Sequence, residues 1–185
     1  MCECIFYAKA KNKDIWAPES NESMNISYLL IGGNQGDREA ALAEARAHLS
    51  AAAGNIRQAS SLYETEPWGK SDQSWFLNQA LALETDADPS LLLKILLQIE
   101  EKMGRRRLEK YGSRRIDIDI LFFNDAIIRR PELIIPHPEI ANRRFVLEPL
   151  DEIAPEYCHP ELHLSVRELL VSCTDPLEVK KIMNG

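Results

Sequence analysis

The sequence predicts an α+β fold whose elements run β-α-β-β-α-β. Three features carry that expectation: four apolar runs of strand length, two amphipathic segments with caps of their own, and glycine or Asn-Asp punctuation between them. Residues 26–31 (ISYLLI) make the first strand. Gly32-Gly33-Asn34-Gln35-Gly36 reads as a turn, and Asp37 caps the helix behind it. In that helix Leu42, Ala45, Leu49 and Ala52 recur at steps of three and four, giving one apolar stripe, and Gly54-Asn55 ends it. Residues 56–65 read as the second strand, 67–74 as a loop and 76–85 as the third strand. Asp88-Pro89 starts a helix, a cap followed by proline at the first helical position. That helix is apolar except for Lys94, Gln98 and Glu101, which share its exposed face, and Gly104 stops it. After a basic loop, residues 115–123 form the fourth strand.

This order is the split βαβ plan of ferredoxin-like folds, an antiparallel sheet with both helices on one face and the other face free. Beyond the turn at Asn124-Asp125 come C-terminal helical additions that wall the free face. Their signals are a capping box, Ser165-Val166-Arg167-Glu168, and a second cap-plus-proline start at Asp175-Pro176. Residues 1–24 lack periodicity and read as a loose tail, or as a misassigned start with Met24 the first residue. Residues 25–185 read as a single domain.

Composition excludes several classes. A net charge of −7 disfavours a general nucleic-acid binder, and no RNP1-like aromatic run is present. No apolar run approaches the ~18 residues needed to span a bilayer. Residues 5–8 are too short an apolar run for a secretory leader, so the expected compartment is the cytoplasm. Cys2, Cys4, Cys158 and Cys173 lack the paired spacing of a zinc site, even with His159 and His163 near Cys158, and read as reduced thiols.

Charge is nonetheless uneven. Between Lys102 and Arg115 stand seven basic residues and one acidic, Glu109, which points to a compact anionic ligand. The loop ends on Ile116-Asp117-Ile118-Asp119-Ile120. Strand alternation turns the isoleucines to the helices and brings Asp117 and Asp119 together on the open face. Two neighbouring carboxylates repel unless a cation lies between them, and magnesium takes one or two carboxylates plus substrate phosphates. Arginines on a loop flanked by Gly104 and Gly112 suit a lid over a triphosphate. No glycine-rich phosphate cradle is present, so metal and arginine must hold the phosphates. Phe76 and Asn78 share a face, and with Phe145 they suit a flat heterocycle; core packing is the competing reading of these rings. His137, between prolines, reads first as structural. A small regulatory ligand-binding domain also fits the fold, but it leaves the aspartates and the arginine loop without a task.

These pieces together resemble the 6-hydroxymethyl-7,8-dihydropterin pyrophosphokinase family over about residues 26–170. The matching runs are GGNQGD at 32–37, SSLYETEPWG at 60–69, FLNQALALET at 76–85, KYGSRRIDIDIL at 110–121 and IPHPEIANRRFVLEPL at 135–150. The resemblance implies transfer of a diphosphate from ATP to the pterin hydroxymethyl group in folate biosynthesis, with release of AMP, by a monomer acting on small molecules. It implies that Asp117 and Asp119 bind two magnesium ions and that Arg105 and Arg114 assist transfer. It implies ATP contacts at Glu100, Arg107, Tyr111, Ile120, His137 and Arg143. The pterin would lie between Phe76 and Phe145, with Thr65, Asn78 and the backbone at Trp68 along its edge. Departures from the family pattern include Gly33 for a usual serine, Glu66, Glu132 and Ile134 at variable positions, and an arginine loop one residue shorter than in some relatives.

Overall fold

A computed structural model describes residues 24–69, 72–104 and 113–183. Strand β1 (Asn25–Gly33) is followed by α1 (Arg38–Ala52), β2 (Asn55–Ala59), β3 (Tyr63–Thr65) and β4 (Phe76–Thr85). Helix α2 (Pro89–Lys102) and β5 (Asp117–Phe123) come next, then a hairpin of β6 (Ile128–Arg130) and β7 (Leu133–Ile135). Helices α3 (Arg144–Ile153) and α4 (Val166–Ser172) and strand β8 (Val179–Lys181) complete the chain. The result is a mixed fold of α-helices and an antiparallel sheet. The sheet runs β5-β1-β4-β3-β8, with β2 beside β3 on the same edge of β4.

Alternation along the central strands builds two cores. Leu29, Ile31, Leu81 and Leu83 pack under Leu42 and Leu49 of α1 and Leu92 and Leu96 of α2. On the opposite face Leu30, Ala80, Leu121 and Phe122 meet Val146, Leu147 and Leu150 of α3 and Leu169 of α4. The expected caps form: Asp37 accepts from Ala40 N, Asp88 from Ser90 N and Leu91 N, and Ser165 and Glu168 close the capping box.

Several expectations need correction. Gly32 and Gly33 are not a turn but the end of β1, paired with Asn78 and Leu77. The stripe of α1 uses Ala53, which is buried, and not Ala52, which is exposed. The second strand is broken in two at Ser60, whose Oγ accepts from Ala80 N at 3.0 Å while Gln79 Nε2 donates to the Ser60 carbonyl at 2.6 Å. Ser60 N still donates to Ala80 O at 2.9 Å, but the return bond from Ala80 N goes to the Ser60 side chain, and the ladder ends there. The fourth strand starts at Asp117, two residues later than expected, and a register shift opposite Tyr28/Leu29 sends both Leu121 and Phe122 to the α3 side. Asp175-Pro176 starts no helix. Asp175 Oδ2 instead accepts from Arg144 N at 3.0 Å, capping α3 from a distance, and the chain runs on into β8 along β3. Among the described residues no helix is long and apolar enough to cross a membrane.

Candidate active site

Residues 116–120 alternate across β5. Ile116, Ile118 and Ile120 are buried toward α1 and α2, and Asp117 and Asp119 open into a cavity of about 430 Å³ on the other side. Its floor is Gly32, set between Asn78 on β4 and Asp117 on β5 by the strand register. A Cβ on Gly32 would come 2.0 Å from Asn78 Oδ1, so the glycine allows the amide to lie flat across the strand. Asn78 Nδ2 donates to Thr65 Oγ1 at 2.9 Å, and both side chains are buried, so the amide is held in one orientation. Phe76, two residues earlier, shares that face. Phe145 from the first turn of α3 and Trp68 from the loop after β3 complete the apolar walls.

The charged end is assembled from three segments. Arg114 pairs with Asp117 through its Nη1. Its backbone is clamped to Asn34, whose amide N donates to the Arg114 carbonyl at 2.9 Å and whose Oδ1 accepts from Arg114 N at 2.9 Å. Asn34 Nδ2 also donates to Ser74 O at 3.1 Å, so one buried amide joins three loops behind the aspartates. As a turn the GGNQG run gives Asn34 no role; the signal in the sequence is a lone amide closing an apolar strand. A Cβ at Gly33 would lie 2.2 Å from the Arg115 carbonyl, so the close approach of that segment leaves no room for a larger residue there.

His137 enters from the loop behind β7, with its N bonded to Leu121 O at 3.0 Å. Burial, reinforced by the Arg143 charge, pushes its pKa down to about 4, so it is neutral near pH 7. Nδ1 accepts from Glu139 N at 3.2 Å, which leaves the proton on Nε2 as a donor. Arg143 lies over the Trp68 ring, 4.5 Å from its centroid.

Thus Thr65, Trp68, Phe76, Asn78, Arg114, Asp117, Asp119, His137, Arg143 and Phe145 all line one cavity. Two expected ATP contacts do not. Glu100 is buried on α2 and accepts from Ile118 N at 2.7 Å, and the Ile120 side chain lies in the helix-side core. Arg105, Arg107 and Tyr111 fall outside the described residues. As a cation site the aspartates offer hard oxygens from two side chains only, and no group of three or more metal-binding residues occurs among the described residues. That set fits magnesium, which keeps most of its positions for water and phosphate oxygens. It does not resemble a closed calcium or zinc cage.

The sequence model of the 7,8-dihydro-6-hydroxymethylpterin-pyrophosphokinase family matches residues 28–155. The chain belongs to this family. It is 45% identical over 134 residues to the 2-amino-4-hydroxy-6-hydroxymethyldihydropteridine pyrophosphokinase of Methylorubrum extorquens, covering 72% of this chain and 85% of that one. A folic acid synthesis protein of Dictyostelium discoideum is 38% identical over 162 residues, which are 88% of this chain but only 24% of that protein. Among solved structures, a Plasmodium falciparum HPPK-DHPS variant superposes with a TM-score of 0.66 at 22% identity, covering 83% of this chain and 44% of that one, a likeness of fold. Membership makes the chain a pyrophosphokinase, a diphosphate-transferring enzyme of folate biosynthesis.

Proposed function

We propose that the cavity holds ATP and 6-hydroxymethyl-7,8-dihydropterin together and moves the terminal diphosphate of ATP to the hydroxymethyl oxygen. The observation that carries this reading is the shared cavity: two strand-borne carboxylates, two arginines, a neutral histidine, and an oriented amide between aromatic rings. The amide end suits the pterin. Asn78, held by Thr65, can pair with the heterocycle edge while Phe76 and Phe145 cover its faces. That leaves the hydroxymethyl group facing Asp117 and Asp119.

The pterin oxygen attacks the β-phosphorus, the bond from that phosphorus to the α-phosphate oxygen breaks, and AMP leaves with the bonding electron pair. The alcohol proton is released to solvent or to a neighbouring base. Such transfers need positioning and charge neutralisation more than covalent help from the protein. Asp117 and Asp119 would hold two magnesium ions, which supply charge neutralisation on the attacking and leaving oxygens when bound. Arg114, already beside Asp117, meets charge developing on the phosphates. His137 donates from Nε2 and Arg143 from its guanidinium to the triphosphate. Arg105, Arg107 and Tyr111, which lie outside the described residues, are assigned by the same reading to the phosphates and the nucleotide. Glu100 serves the nucleotide from behind, through the backbone of β5.

The reading takes residues 25–185 as a single ferredoxin-like domain working as a cytoplasmic monomer. The antiparallel order β5-β1-β4-β3 with α1 and α2 on one face supports the first part. The net charge of −7 supports a role without nucleic acid. An AMP-release assay with ATP, magnesium and the dihydropterin tests the reaction. Pterin-dependent AMP at one per pterin diphosphate is expected. ADP as product, or no dependence on the pterin, would refute it.

A further inference from the structure

Among the described residues two arginines face the cavity, and they are held in opposite ways. Arg114 spends donors on the Asp117 carboxylate. Arg143 makes no ion pair among the described residues, and its Nε is buried without a hydrogen-bond partner there. Its backbone is fixed at the start of α3, where its amide donates to Ile140 O and its carbonyl accepts from Val146 N and Leu147 N. What holds its side chain is aromatic. The guanidinium carbon lies 4.5 Å from the Trp68 ring centroid and 5.8 Å from that of Phe145.

The difference is chemical. A carboxylate partner engages the edge of a guanidinium, where its N–H donors are, and must be displaced before a phosphate can bind. An aromatic ring engages the flat face and leaves those donors available. The indole therefore places the guanidinium 4.5 Å from its ring centroid without supplying an acceptor that a phosphate would have to displace. The buried Nε, without a hydrogen-bond partner among the described residues, is a donor that an oxyanion can satisfy.

We propose that Trp68 is a positioning residue, its indole face holding the Arg143 guanidinium at the place where its donors meet the phosphate oxygens of the nucleotide. This rests on the assignment of Arg143 to the triphosphate made above. It gives the Trp68 side chain a task distinct from the pterin contact made by its backbone.

The test is titration calorimetry with a non-hydrolysable ATP analogue and magnesium, alongside steady-state kinetics and thermal unfolding. The proteins are wild type, Trp68→Leu, Trp68→Phe, Arg143→Gln and the Trp68→Leu/Arg143→Gln double variant. Trp68→Leu and Arg143→Gln should each weaken nucleotide binding about tenfold, with the double variant no weaker than Arg143→Gln alone. Trp68→Phe, which keeps a π face, should restore binding to within about threefold of wild type. Melting temperatures should stay close to wild type throughout, and the KM for pterin should change less than the nucleotide affinity. Additive losses, or a loss confined to pterin KM, would overturn the proposal, the latter by showing that the indole serves the heterocycle. So would Trp68→Phe binding as weakly as Trp68→Leu. Wild-type nucleotide affinity in Arg143→Gln would remove the triphosphate assignment as well. Weak binding in Arg143→Gln with wild-type binding in Trp68→Leu would remove the positioning role alone.

Discussion

Replacing Gly32 by alanine tests the floor of the site with a single methyl group. The backbone there is ordinary strand, so alanine meets no conformational strain, and the effect comes from contact alone. The new Cβ would lie 2.0 Å from Asn78 Oδ1 and 3.1 Å from its Cγ. Ordinary contact begins near 3.4 Å, so the amide oxygen must retreat by about 1.4 Å. Asn78 is 4% exposed and Thr65 1%, so water cannot replace the Asn78–Thr65 bond that such a shift breaks. Losing that bond costs about 1–3 kcal/mol and the overpacking about 1–3 kcal/mol more. Loss of a glycine from the unfolded chain offsets this by about 0.4–1 kcal/mol. The net expectation is a destabilisation of about 1–6 kcal/mol in urea unfolding, with a raised KM for pterin because the amide no longer faces the heterocycle. In an Asn78→Ala background the same methyl group has room, and Gly32→Ala should then be nearly neutral. Equal destabilisation in both backgrounds would refute the contact argument. Unaltered stability and pterin KM in the single variant would do so as well.

Four further outcomes follow from the same geometry. Asp117→Ala should lower turnover by about 10³-fold or more while pterin affinity holds, measured at saturating magnesium; a wild-type rate there would contradict its role. Arg114→Ala should reduce kcat by about 10²-fold and change substrate affinities much less, so a collapse of pterin binding with kcat intact would assign it elsewhere. His137 stays neutral in the fold down to about pH 4, whereas in the unfolded chain it takes up a proton near pH 6.5. Its neutral burial therefore adds no penalty above pH 6.5 and costs up to about 3 kcal/mol as pH falls toward 4. The wild type should lose stability over that window relative to His137→Gln, and parallel pH curves would exclude the effect. Asp175→Ala should destabilise the fold by about 1 kcal/mol through the uncapped start of α3, and an unchanged urea midpoint would show the cap to be idle.

What the sequence made legible were features that depend on local periodicity. Asp117 and Asp119 could be placed on one face because strand alternation needs no partner. Asp37, Asp88 and Ser165 could be placed as caps because the groups they satisfy are two or three residues away. Features made by distant contacts were not legible. The break at Ser60 exists because its hydroxyl meets Ala80 N, twenty residues along. Asp175 carried a true cap signal for the wrong helix: its carboxylate satisfies Arg144 N across the fold, and the chain behind it is free to pair with β3. The bond from Ile118 N to Glu100, which anchors the strand that carries the aspartates, is likewise visible only in the fold. Asn34 was passed over because only its contacts, not its neighbours in sequence, show that it fixes Arg114.

The central claim is that Asp117 and Asp119 together hold two divalent cations against the nucleotide. Anomalous diffraction from crystals grown with manganese, a non-hydrolysable ATP analogue and the dihydropterin measures this directly. The account predicts two manganese peaks in the cavity, each about 2.1 Å from a carboxylate oxygen of Asp117 or Asp119. A cavity holding both substrates with no manganese on either aspartate, or with the metal held by other residues, would contradict it.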